Sequence, residues 1–162
     1  MNRTLVIAVA VTLVVGLVIG YGIGGARPAV GEEGRYETHT IVALLPLTGA
    51  LSTFGENSKE TVLLAATDVN AWLEREGKDW RLDVKIEDTA TDGPTALAKM
   101  KAWYGTGVTL FVGPQASGEC KELLTFANAN KILFISQSST SPALSIPDDY
   151  LFRFCPDDFI QG

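Results

Sequence analysis

The stretch Val108–Pro142, VTLFVGPQASGECKELLTFANANKILFISQSSTSP, restricts the fold more than any other part of the chain. Two short apolar runs, Leu110–Val112 and Ile132–Ile135, each end in small, hydroxyl-rich residues. Between them, roughly Gly118 to Asn130, Leu123, Leu124, Phe126 and Ala127 recur at helical spacing. This predicts a β-α-β unit with parallel strands whose carboxyl ends share one edge. Ligands bind at that edge in open α/β sheets. The turns Gly113–Gly118 and Ser136–Thr140 are therefore expected to face one crevice side by side. Their small residues let backbone approach a ligand, and their hydroxyls and N–H groups suit a carboxylate or carbonyl.

The rest of the chain repeats the alternation. Thr40–Leu45 is a continuous apolar run, as a strand buried on both faces requires. Pro46–Gly55 reads as a loop. A helix is expected from about Glu56 to Glu76, with Val62, Ala65, Ala66, Val69 and Leu73 as its apolar stripe and Gly77 as its stop. Arg81–Asp88 alternates strictly, which predicts an edge strand with one wet face. Asp92 or Thr91 caps the next helix, with Pro94 in its first turn. Ala96, Leu97, Met100 and Trp103 carry its apolar side. Tyr150–Phe154 reads as an aromatic strand, and Pro156–Phe159 as a helix start. The class expected is α/β, a parallel sheet with helices on both faces.

Ahead of this lies a different segment. Arg3 is followed by no charge until Arg27. The apolar residues 4–26 would span about 34 Å as a helix, enough for a bilayer core of about 30 Å. Residues 1–27 are read as a membrane anchor or an export signal, and 28–39 as a linker. The lobe proper is expected over 40–162, outside the cytoplasm. Lys and Arg number 13 against 19 Asp and Glu, and all the bases except Arg3 and Arg27 lie beyond the leader. An acidic surface without a basic, aromatic-studded stripe excludes nucleic acid as a partner.

The chemistry of a catalyst is missing from the pattern. Gly113–Ser117 does not fit GxSxG, His39 is the only histidine, and neither a phosphate loop nor GxGxxG follows a strand. Cys120 and Cys155 are too isolated for a metal site, although in an oxidising compartment they could pair. Asp88, at a strand end, lacks the paired acids of a phosphoacceptor. No cofactor, no metal and no enzymatic reaction are expected; the crevice is built to hold a molecule.

The segments IVALLPLTGALSTFGENSKETVLLAATDVNAW, VKIEDTATDGPTAL, LFVGPQASGE, ILFISQSSTSPALS and YLFRFCPDDFIQG resemble, in order, the amino-terminal lobe of type I periplasmic binding proteins. Within these, the resemblance is to the leucine/isoleucine/valine receptors of ABC transporters. It implies a two-lobed design in which the α-carboxylate of an amino acid or similar small amide meets Ser117 and Thr140. It further implies that backbone groups of Ser138 and Ser139 contribute, that Phe54 stands beside the ligand, and that ABC permease subunits are the partners. Gln137 departs from the family's frequent proline, and Ser138 and Ser139 from its commoner alanines. Because the family's first lobe is completed by chain returning from the second, the resemblance also implies a chain carrying one lobe. A sensory module of the same fold is the alternative; a neighbouring permease gene would favour transport, a kinase signalling.

Overall fold

The computed structural model describes residues 36–160. The expected helix of residues 4–26 lies outside them; among the described residues no helix is long and apolar enough to cross a membrane. Five strands, β1 (Glu37–Leu45), β2 (Trp80–Asp88), β3 (Leu110–Val112), β4 (Leu133–Ser136) and β5 (Leu151–Arg153), form one sheet in the order β2-β1-β3-β4-β5. Every pairing is parallel. Helices α1 (Ser52–Arg75), α2 (Gly93–Tyr104) and α3 (Ser117–Asn130) connect the strands, and a 3-10 turn at Pro142–Leu144 precedes β5.

The register explains the layers. Val42 pairs with Phe111, Phe111 with Phe134, and Phe134 with Leu151, so these four share one face. With Leu44 they form the core beneath α2 and α3, packed by Ala96, Met100, Cys120, Leu123, Leu124 and Ala127. Strand alternation sends Ala43, Val112, Ile135 and Phe152 to the opposite face. There α1 packs over β1 and β2, while Phe152 at the far side is 59% exposed.

Three expectations need correction. Helix α1 begins at Ser52, four residues earlier than its composition suggests. Gly55 is buried against the end of β1, where a Cβ would stand 2.1 Å from the Pro46 carbonyl oxygen. Its glycine marks a close approach inside the helix and not a loop. Second, the apolar stripe is turned: Leu73 is buried and Val62 and Ala66 half-buried, but Ala65 and Val69 face solvent. Asn70 faces inward instead. Its amide donates to the Leu82 carbonyl and accepts from the Leu82 N–H, both at 2.8 Å, satisfying backbone groups of β2 at the sheet edge. Third, the expected helix start at Pro156–Phe159 is not formed: Pro156 and Asp157 are irregular and Asp158–Ile160 is a turn. Other signals agree: the N–H groups of Gly77 and Lys78 bond the Glu74 and Leu73 carbonyls and close α1, and Asp92 caps α2 through the Thr95 N–H at 2.9 Å. β2 is the edge strand expected.

Candidate functional site

The two hydroxyl-rich turns emerge side by side from β3 and β4. The Gly113 N–H donates to the Ile135 carbonyl at 2.8 Å, so the ladder runs to the point where both turns begin. The peptide from Gly113 to Pro114 is cis. Ser117 is the first residue of α3, half-buried, and its hydroxyl accepts from the Ser141 N–H at 3.3 Å. That bond ties one turn to the other. Ser138 donates its hydroxyl to the Gln115 carbonyl at 3.0 Å. Thr140 is half-buried, with its carbonyl accepting from the Asp158 N–H at 2.9 Å. Ser117, Ser138, Ser139 and Thr140 are thus gathered in one place. Phe54, in the first turn of α1, rises from the adjoining β1 end with 62% of its surface exposed.

Beneath the turns lies a buried network that pattern reading missed. Ser136, fully buried, donates to the Pro114 carbonyl at 2.7 Å and accepts from the Ser139 N–H at 3.2 Å. The Ser139 hydroxyl sits within 2.5 Å of the Ser136 oxygen and 2.9 Å of the Cys120 sulfur. Burial pushes the Cys120 thiol above its ordinary pKa, and the thiol donates to the Pro114 carbonyl at 3.6 Å. From β5, Arg153 donates one Nη1 to the carbonyls of both Ser139 and Ser141 at 3.0 Å. Cys155 donates its thiol to the same Ser139 carbonyl at 3.2 Å. Both cysteines are free thiols bonded to Ser139, so the pairing considered from sequence is not formed. The serine hydroxyls at 136 and 139 hold the turn in shape, while the surface presented outward belongs to Ser117, Ser138 and Thr140. Arg153 was hidden in an aromatic strand pattern; its only sequence signal is a lone charge among aromatic residues.

Asp88 has a structural task. Its carboxylate accepts from the Thr48 hydroxyl at 2.7 Å, the Thr48 N–H at 3.1 Å and the Ala90 N–H at 2.8 Å. Burial alone would raise its pKa, but these bonds from Thr48 and Ala90, with one from the Leu47 N–H, hold it below the ordinary aspartate value. Its stabilisation is therefore present above about pH 4 and lost as pH falls through the lowered value. Asp88→Asn is expected to reduce stability at neutral pH and to flatten the acid limb of a stability-against-pH curve. An unchanged acid limb in denaturant titrations would remove Asp88 from the account.

A concavity of about 630 Å³ opens at the opposite, amino edge of the strands, where His39 stands edge-on to Trp80. Its walls mix four threonines, Thr38, Thr40, Thr106 and Thr109, with apolar side chains such as Ile41 and Leu82. A smaller cavity of about 240 Å³ lies between the first half of α1 and the ends of β3 and β4.

Comparison with known proteins agrees with this fold. Residues 38–162 match the family model described as "Periplasmic binding protein". An uncharacterised protein of Methanocaldococcus jannaschii is 39% identical over 138 residues, covering 81% of this chain and 33% of its own length. A Leu/Ile/Val-binding protein homolog of Brucella abortus is 28% identical over 118 residues, covering 72% of this chain and 31% of its own. The chain thus spans about a third of the length of the curated relatives it matches. Among solved structures, the branched-chain amino acid transporter substrate binding protein LivJ from Streptococcus pneumoniae, in complex with isoleucine, superposes with a TM-score of 0.68. It is 25% identical, and the match covers 75% of this chain and 35% of that one. The leucine binding protein LivK from Thermotoga maritima shares the fold at a TM-score of 0.62 and 24% identity, with coverage of 75% and 34%.

Proposed function

This chain belongs to the periplasmic binding protein family, and on that premise we propose that it forms one wall of a receptor for a small amino acid. The receptor works outside the cytoplasm and delivers its ligand to the permease subunits of an ABC transporter. The observation that carries the reading is the pairing of two hydroxyl-rich turns at the carboxyl ends of β3 and β4, bridged by the Ser141 N–H on Ser117. A ligand α-carboxylate matches that surface: it accepts from the Ser117 and Thr140 hydroxyls and from the Ser138 and Thr140 N–H groups, the Ser139 N–H being held by Ser136, beneath Phe54. The likeness to a receptor crystallised with isoleucine supports the choice of an amino acid. Export rests on the apolar residues 4–26, which serve as anchor or signal.

The described wall is open, as the exposure of Phe54 attests. Water competes for the same donors there, so affinity for isoleucine, leucine or valine is expected on the order of millimolar. Amide chemical shifts recorded during an isoleucine titration should move at Ser117 and Ser138–Thr140. Ser117→Ala is expected to weaken the response about three- to tenfold, the worth of one net hydrogen bond. Shifts that stay still at those residues at tens of millimolar ligand would reject the site.

A further inference from the structure

Two glutamines beside the hydroxyl-rich turns, one buried and one half-buried, have amide ends that nothing in the described fold satisfies. Gln115, only 7% exposed, points its Nε2 at the Ser58 hydroxyl oxygen on α1, 2.9 Å away. Gln137 points its own Nε2 at the same oxygen, at 3.5 Å. The Oε1 atoms of both are buried without a donor. Buried amides are ordinarily paired at both ends, and an unmet carbonyl in an apolar setting is costly. Turning either amide over exchanges its oxygen for its nitrogen but leaves one unmet polar end.

Placement says what these ends are for. The main chain of Gln115 accepts the Ser138 and Ser139 hydroxyls, and Gln137 directly precedes Ser138. Ser58 lies one helical turn beyond Phe54, on the same side of α1. Gln137 and Ser58 line the cavity of about 240 Å³, whose other walls include Val62 and Val112. A molecule whose carboxylate sits on the two turns therefore has an adjoining recess with apolar sides and a polar end of Asn57, Ser58, Thr61 and Gln137, with Gln115 behind it at Ser58.

We propose that this recess is the side-chain subsite of the ligand and that it selects a carboxamide over a branched alkyl group of the same shape. This rests on the reading of the wall as an amino acid site. A carboxamide offers an N–H donor to the unmet Gln137 carbonyl and a carbonyl of its own, so it fits either orientation of that glutamine. Val62 and Val112 cover its methylene. A leucine side chain fills the same volume but leaves the Gln137 end unpaired, and such an absence discriminates more strongly than a missing methyl.

Asparagine and leucine have nearly isosteric side chains, which makes the test direct. Each is titrated into the full chain while the amide shifts of Ser117 and Thr140 are followed. Asparagine is expected to bind at least fivefold tighter than leucine, and Gln137→Leu, at a half-buried position, to reverse the order. Gln137→Met provides a second variant should the first fail to fold, with the same reversal expected. Equal affinities, or a preference for leucine with Ser117 and Thr140 still responding, would overturn the subsite and leave the amino acid reading standing. A preference for asparagine that survives both variants would also overturn it. If neither ligand moves Ser117 or Thr140, the amino acid reading falls and the subsite with it.

Discussion

Gly113→Ala is expected to destabilise the fold by roughly 2–5 kcal/mol, a large share of the 5–15 kcal/mol that holds a typical domain together. Gly113 ends β3 with φ at +87°, a conformation that costs a side-chain-bearing residue about 1–2 kcal/mol. A Cβ there would stand 2.1 Å from the Leu44 carbonyl oxygen, inside contact distance with backbone that has no rotamer to change. Relief requires β3 to move from β1, and overpacking of this kind adds about 1–3 kcal/mol. The displacement would reach Pro114, whose carbonyl accepts the Ser136 hydroxyl, and so the ligand turns themselves. Gly118→Ala is the control. A Cβ at Gly118 meets nothing within 4 Å, and alanine favours the helix it sits in, so neutrality or a slight gain is expected. Urea melts of the two variants decide the matter: near-equal midpoints would refute the close-approach explanation.

The second large effect is expected at Arg153. Its guanidinium spans two carbonyls of the ligand turn, and a hydrogen bond from a charged donor contributes about 1.5–3 kcal/mol. Because the side chain is half-buried, solvent screens part of this, and Arg153→Ala should cost about 2–3 kcal/mol of local order. Hydrogen exchange at Ser139–Ser141 is expected to accelerate tenfold or more, with isoleucine binding weakened about ten- to a hundredfold. Arg153→Lys should recover only part of either, since one ammonium must replace both the Nη1 donor to the two carbonyls and the Nη2 donor to the Ser145 hydroxyl. A variant whose melting temperature falls while exchange in the turn stays slow would make Arg153 an ordinary β5 residue.

Both variants act on one design. The face of the sheet beneath α2 and α3 supplies the packed core, and the turns are carried on its carboxyl edge. Residues that touch no ligand in this scheme, Ser136, Cys120, Arg153 and Cys155, determine where those that do are held. Small displacements at the strand ends are thereby transmitted to Ser117 and Thr140 through short bonds and not through flexible loops.

The strand and helix alternation, the parallel sheet and the neighbourhood of Ser117 with Ser138–Thr140 were legible in the chain because each depends on local periods. Alternation every second residue marks a strand, a 3.6-residue recurrence marks a helix, and β-α-β connectivity then aligns the strand ends without further information. The cap at Asp92 and the stop at Gly77 are likewise local, a matter of neighbouring backbone groups. What tertiary structure alone decided are the features that depend on residues far apart. Glycine at 55 suggests a loop until the Pro46 carbonyl is found where its side chain would be. Ala65 and Val69 look inward until Asn70 is found bonded to Leu82, rotating α1 about its axis. Arg153 has no periodicity to betray it, because its carbonyl partners lie 12 and 14 residues earlier on another turn. Periodicity reports which face of an element is apolar, but a hydrogen bond between distant segments leaves no period, and only the folded chain brings its two ends together.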